Sequence, residues 1–202
     1  SMIINFSNVL LQSSVNSFGS TAMAGYTAAN NILGFLYAAV NSITQACMSF
    51  TSQNYGVGKY KRMDKVLIDC LILTVVVAGV LGCGSYLLGP EILRIYTEEE
   101  KVIRCGMEIL SITTVPYFLC GIMETCCGMV RGLGRAWLPM FVSAVGSCLL
   151  RIVWIKTLFA ADPTLPCLYI SYPVSWVLTS LAHHVCYVLI FRRIRRQMPN
   201  AQ

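Results

Sequence analysis

The feature that most constrains the fold of this chain is a succession of apolar blocks, each about twenty residues long and therefore long enough to cross a bilayer as a helix. Short segments between the blocks carry most of the charge. Of the 202 residues, 56% are hydrophobic and 12% are charged, whereas about a quarter of a soluble domain is charged. The sequence therefore predicts an all-α integral membrane protein.

Six blocks are predicted to span the membrane as a six-transmembrane-helix bundle. Their approximate bounds are residues 2–18, 23–50, 66–88, 107–130, 137–159 and 168–191. The stretch 91–104 mixes Ile and Leu with charged residues, which is typical of an interfacial helix. A basic tail occupies residues 192–202. Pro116 lies in the fourth block and is expected to kink it, because proline removes a backbone hydrogen bond. Pro173 lies in the sixth block and is a second candidate for a bend.

Positive charge falls on one side of this predicted bundle. The loop after the second block holds four basic residues, the turn after the fourth holds two, and the tail holds four. Acidic residues outnumber basic ones on the other side. The positive-inside rule therefore predicts that both chain ends are cytoplasmic. Nucleic acid is not an expected partner, because no basic stripe follows the face of a soluble helix.

The first block begins without a charged flank and without the cleavage site of a signal peptide. Its helical pattern is already present at the first residues. We therefore expect the sequence to start inside a helix and to be a piece of a longer protein.

The ten cysteines and two histidines do not form a recognisable metal-binding pattern. Most cysteines lie inside apolar blocks, where Cys packs as a small hydrophobic residue. The adjacent His183 and His184 point to different helix faces, which favours polar lining or interhelical hydrogen bonds over metal binding. No metal or cofactor site is predicted, and the absence of catalytic motifs indicates that the chain is not an enzyme.

Polar residues recur inside the first two blocks at helical spacing. They are Asn5, Asn8, Gln12 and Asn16 in the first block, and Tyr37, Asn41 and Gln45 in the second. Polar groups are costly in hydrocarbon, so polar stripes on two successive helices favour the wall of a water-filled pathway. Interhelical hydrogen bonds are the alternative for any single residue.

Two ionisable residues are predicted to lie deep in the bundle. Glu124 lies roughly 10 Å from the near end of its helix, and Arg151 lies roughly 20 Å along the next one. This difference in depth argues against an ion pair and places Arg151 at the level of Tyr117. Glu124 is the better candidate for a titratable or cation-binding carboxylate. A structural hydrogen bond, or an aqueous vestibule, is the alternative.

Six short motifs are recognisable in combination, and together they extend over essentially the whole chain. They are Ser14–Gly19, Ala24–Tyr26, Ser52–Lys59, Gly121–Glu124, Val130–Gly134 and Leu168–Trp176. This combination resembles the second half of the MATE (multidrug and toxic compound extrusion) transporters. The DinF-like and MepA-like bacterial branch is the most similar.

The resemblance implies that the chain is the C-terminal six-helix lobe of a twelve-helix transporter in the bacterial plasma membrane. Its partners would be membrane lipid, the N-terminal six-helix lobe, and a small-molecule drug or organic cation. The implied activity is secondary active antiport, which exports the substrate in exchange for Na⁺ or H⁺ by alternating access. A lipid-linked precursor flippase and a non-transporting membrane scaffold are the alternatives.

The resemblance also implies a cation-binding acid in the helix that contains Glu124. Aromatic residues of the matching helices complete the candidates for the substrate and cation pathway. These added candidates are Tyr117, Tyr172 and Trp176.

Overall fold

The computed structural model describes the backbone of residues 2–197 and the side chains of residues 9–194. The described chain consists of helices joined by short connections. They are α1 (Met2–Asn16), α2 (Ser20–Gly56), α3 (Tyr60–Leu87), α4 (Gly89–Arg94), α5 (Glu100–Thr113), α6 (Tyr117–Gly132), α7 (Trp137–Ser143), a π-helical segment (Ala144–Leu149), α8 (Leu150–Lys156), α9 (Leu158–Ala161) and α10 (Leu165–Gln197). The all-α fold class is confirmed.

Four helical stretches are long and apolar enough to cross a membrane. They are α2, α3, the run Trp137–Ala161 formed by α7 to α9, and α10. The helices α5 and α6 together form a fifth candidate, bent by 53° where they meet. The predicted kink at Pro116 is therefore confirmed, whereas α10 continues through Pro173. The described part of α1 has 15 residues, fewer than the roughly 20 that a full span needs.

The stretch 91–104 is divided differently from the single interfacial helix that we predicted. The helix α4 ends at Arg94, and α5 begins at Glu100. Between them, the backbone N–H of Glu99 donates to the hydroxyl oxygen of Thr97 at 3.1 Å. Negative charge is stabilised at the N-terminus of a helix, so consecutive glutamates at 98–100 favour a new helix start here.

The helix α6 lies at the centre of the bundle and packs against α2, α3 and α10. Glycines permit this packing by bringing backbones close together, as small residues do in membrane proteins. A Cβ atom on Gly128 would lie 2.8 Å from the carbonyl oxygen of Thr44, and one on Gly132 would lie 2.8 Å from that of Met48. These two glycines therefore lie at a close contact between α6 and α2. Seven positions before Gly128, and on the same face of α6, Gly121 makes room for the side chain of Thr74 on α3.

Candidate functional site

The helix α2 exposes a continuous face of small and polar residues, which we call the α2 stripe. Its members are Ala24, Thr27, Asn31, Gly34, Ala38, Ser42, Gln45, Ser49 and Ser52. From Thr27 to Ser52 the stripe is about 37 Å long at 1.5 Å per residue, which exceeds the roughly 30 Å of a hydrocarbon core. It is therefore long enough to extend across the whole apolar layer of a bilayer.

The neighbouring helix α3 exposes a face of the opposite character. Its large exposed residues are Ile68, Ile72, Leu73, Val75, Val76, Val80, Leu81 and Leu87, together with Tyr86. Apolar residues on the outside of a bundle are suited to contact with lipid tails. The α2 stripe itself contains no such large apolar side chain, although Phe35 and Phe50 are exposed elsewhere on α2. Its polar side chains favour a polar neighbour over lipid tails.

Several residues predicted to line a pathway lie on the exposed faces of α1 and α2. Gln45 belongs to the α2 stripe, Asn41 is half-buried, and the Tyr37 side chain is 43% exposed. On α1, Gln12 and Asn16 are exposed. The side chains of Asn5 and Asn8 lie outside the described residues.

A chain of ring contacts connects four of the residues that we predicted as candidates for the substrate and cation pathway. The ring of Tyr117 meets the edge of Trp176 at a centroid distance of 5.5 Å, and Trp176 contacts Tyr172 at 6.0 Å. The guanidinium of Arg151 lies over the Tyr172 ring, and its Nη2 donates to the Ser175 hydroxyl at 3.4 Å. Arg151 is thus connected to Tyr117 through two aromatic rings.

Two tyrosines that sequence reasoning missed extend this cluster. The hydroxyl groups of Tyr26 and Tyr172 lie 3.4 Å apart, and the ring of Tyr26 stacks on that of Tyr169 at 6.4 Å. The spacing of Tyr169, Tyr172 and Trp176 by three and four residues places them on one face of α10, and this signal was available in the sequence. Tyr26 carried no such signal, because it lies 146 positions before its partner.

The carboxylate of Glu124 is buried on α6, with 7% of the residue exposed. It lies within electrostatic range of Tyr37 at the surface of α2 and of Tyr117 in the aromatic cluster. Cys120, one turn earlier on α6, is in electrostatic range of both Glu124 and Arg151. The structure therefore brings the acid close to the edge of the α2 stripe and keeps the guanidinium among the rings.

The arrangement can serve two kinds of chemistry. A buried carboxylate behind a polar surface can hold a proton or a small cation, and aromatic faces attract organic cations. Within residues 9–194, the side chains form no group of three or more His, Cys, Asp or Glu residues that could hold a metal ion.

Comparisons with known proteins agree with this architecture. Residues 1–155 match the model of the MatE family. The chain is 21% identical over 194 residues to YoeA of Bacillus subtilis, described as a probable multidrug resistance protein, and covers 42% of its length. That match includes 95% of this chain. NorM of Thermotoga maritima, with the same description, is 22% identical over 143 residues, which are 71% of this chain and 30% of NorM.

Solved transporter structures share the fold. The MATE transporter VcmN of Vibrio cholerae superposes with a TM-score of 0.84 at 16% identity, over 95% of this chain and 43% of VcmN. A MOP superfamily transporter from Pyrococcus furiosus superposes with a TM-score of 0.87 at 13% identity, over 96% of this chain and 44% of that transporter. The chain thus spans less than half the length of these relatives. Because the family match covers most of its residues, this multi-pass membrane chain belongs to the MatE family of transporters.

Proposed function

We propose that the chain is the C-terminal lobe of a bacterial plasma-membrane antiporter that exports drugs or organic cations in exchange for Na⁺ or H⁺. The observation that carries this proposal is the α2 stripe. An exposed polar surface as long as the bilayer core is unfavourable against lipid, and a second lobe with a water-filled cleft would cover it. The N-terminal lobe of the same transporter is the partner that we propose for this surface, with both chain ends cytoplasmic.

In this proposal Glu124 holds the coupling cation. Its position near Tyr37, at the edge of the α2 stripe, makes the carboxylate reachable from the cleft after a small movement of α2. The rings of Tyr117, Tyr172 and Trp176 lie deeper and are buried, so an organic cation would reach their faces only after the bundle opens around them. Alternating access then follows from rocking of the two lobes around this region.

The test uses the full-length transporter that contains this chain, reconstituted in liposomes with a fluorescent organic cation. Export should depend on an imposed Na⁺ or pH gradient. Glu124→Gln should abolish that dependence, because an amide can neither release a proton nor balance a bound cation. The matched control is Asp69→Asn, an exposed acid on α3, which should retain gradient-driven export.

Two outcomes would contradict the proposal. Gradient-driven export that is unchanged in Glu124→Gln would exclude the role given to this carboxylate. Movement of lipid-linked precursors without any efflux of organic cations would instead support a flippase.

A further inference from the structure

The seam between α10 and the run formed by α7 and the π-helical segment is polar and closed. His183 on α10 is fully buried, and its Nε2 lies 3.1 Å from the hydroxyl oxygen of Ser143, the last residue of α7. One turn earlier on α10, the fully buried Thr179 contacts the backbone of the π-helical segment at Gly146. A Cβ atom on Gly146 would lie 3.0 Å from the Cβ of Thr179, so the two backbones are close.

Two polar atoms in this seam have no hydrogen-bond partner among the residues that the structure describes. They are Nδ1 of His183 and Oγ1 of Thr179. Buried polar atoms are nearly always paired, and an unpaired one in a native structure often marks a functional site or a site for water. Since residues four apart share a helix face, both atoms belong to the same side of α10. The seam therefore contains unused hydrogen-bonding capacity around an imidazole.

Charged groups lie on several of the helices that pack against His183. Arg131 on α6 is within electrostatic range, and α7, the π-helical segment and α9 contain no charged residue. Arg151 on α8 contacts Ser175, eight positions earlier on α10, and Asp64 on α3 accepts a hydrogen bond from Tyr187, one turn later. The remaining charges on the packed helices are Glu124 on α6, Lys156 on α8, Glu100, Lys101, Arg104 and Glu108 on α5, and Arg192, Arg193, Arg195 and Arg196 on α10.

A buried cation beside another cation is costly, so a proton on His183 would require water to enter the seam. The π-helical segment is the element that can change conformation. A π turn holds one residue more than an α turn, and such turns occur often at functional sites. If the segment returned to regular α-helix, α7 would rotate by about 100° relative to α8. This rotation would carry Ser143 away from His183.

We propose that His183 is a proton-binding site whose occupancy is coupled to the π-helical segment. The neutral imidazole bonds Ser143 and holds the seam closed, and the protonated imidazole stabilises a hydrated seam. A proton then shifts the conformational equilibrium by its differential affinity for the two states. If the chain works in a transporter, protonation of His183 would make H⁺ a coupling ion. That part of the inference rests on the proposed antiport. The site itself does not depend on it.

The chain contains only two histidines, which makes the test direct. The full 202-residue chain, labelled with ¹⁵N in the imidazole rings, would be studied by NMR in lipid nanodiscs between about pH 5 and pH 8. His184→Gln assigns the two signals, since His184 is the exposed neighbour. Hydrogen exchange of residues 137–156, corrected for intrinsic pH dependence, reports in parallel on opening of the seam.

We expect the pH midpoint of His183 protonation to equal the pH midpoint of an increase in hydrogen exchange within Ala144–Leu149. His183→Gln should remove this pH dependence, and His184→Gln should retain it. Ser143→Ala should raise exchange in the segment near pH 8, because the bond that closes the seam is lost. The proposal is overturned if His183 stays neutral down to about pH 5, if it is protonated without a change in exchange, or if His183→Gln keeps the pH dependence. None of these measurements requires transport, so failure of the proposed antiport would be distinguishable.

Discussion

The guanidinium carbon of Arg151 lies 4.3 Å from the centre of the Tyr172 ring, and both residues are buried inside the bundle. A desolvated cation on an aromatic face contributes up to about 2 kcal/mol, and the planar guanidinium stacks in a way that an ammonium cannot. We therefore expect Arg151→Lys to lower the free energy of unfolding by about 1–2 kcal/mol.

Thermal denaturation in nanodiscs would measure this effect. The matched control is Arg94→Lys, because Arg94 forms exposed ion pairs with Glu91 and Glu100 that contribute little. Equal melting temperatures for Arg151→Lys and the unmodified chain would contradict the expectation.

Close packing of α6 against α2 predicts that Gly128→Ala is destabilising. The new methyl group would lie 2.8 Å from the Thr44 carbonyl oxygen, which belongs to a rigid backbone. Overpacking of this kind costs about 1–3 kcal/mol. The control is Gly79→Ala on α3, where an added Cβ meets no atom within 4 Å. That change should be neutral or stabilising, because Ala favours helix more than Gly does. Denaturation midpoints of both variants check the contrast, and equal loss in both would exclude packing as the cause.

The hydroxyl groups of Thr74 on α3 and Thr125 on α6 lie 2.9 Å apart in the bundle interior. A double-mutant cycle with Thr74→Val, Thr125→Val and the double variant isolates this contact. Interhelical hydrogen bonds in membranes contribute about 0.6 kcal/mol on average, so we expect a favourable coupling energy of that order. Additive effects of the two single changes would show that the hydroxyl pair contributes no stability of its own.

The different faces of α2 and α3 predict different access to water. In a cysteine-free background of the full-length transporter, Ser42→Cys on the α2 stripe should react with a membrane-impermeant maleimide. Ile72→Cys on the exposed face of α3 should not react, because thiolate forms poorly in lipid. Labelling at both positions, or at position 72 alone, would argue against a cleft along the α2 stripe.

Much of this architecture follows from local patterns. Apolar length predicted four spanning stretches and the bent pair of α5 and α6, and Pro116 predicted the bend between them. These features depend on a few neighbouring residues, so one sequence is enough to find them.

Other features depend on contacts between distant segments and had no local signal. Tyr26 joins the aromatic cluster only because α2 packs near α10, and the seam at His183 needs Ser143 from another helix. The π-helical segment Ala144–Leu149 has no distinctive composition. The break between α4 and α5 does have a local signal, which is the run of glutamates that begins the second helix. Amphipathic composition continues across this break and therefore predicted a single helix.

The length of α2 has a mechanical consequence for a transporter lobe. Its 37 residues extend about 55 Å, which exceeds the roughly 40–45 Å of a bilayer including its headgroups. In the proposed rocking movement, the helix would pivot as a rigid rod about a point within the membrane. A tilt of about 10° around its middle would move its two ends by about 5 Å in opposite directions. One small rotation can thus narrow the opening on one side of the membrane while it widens the opening on the other.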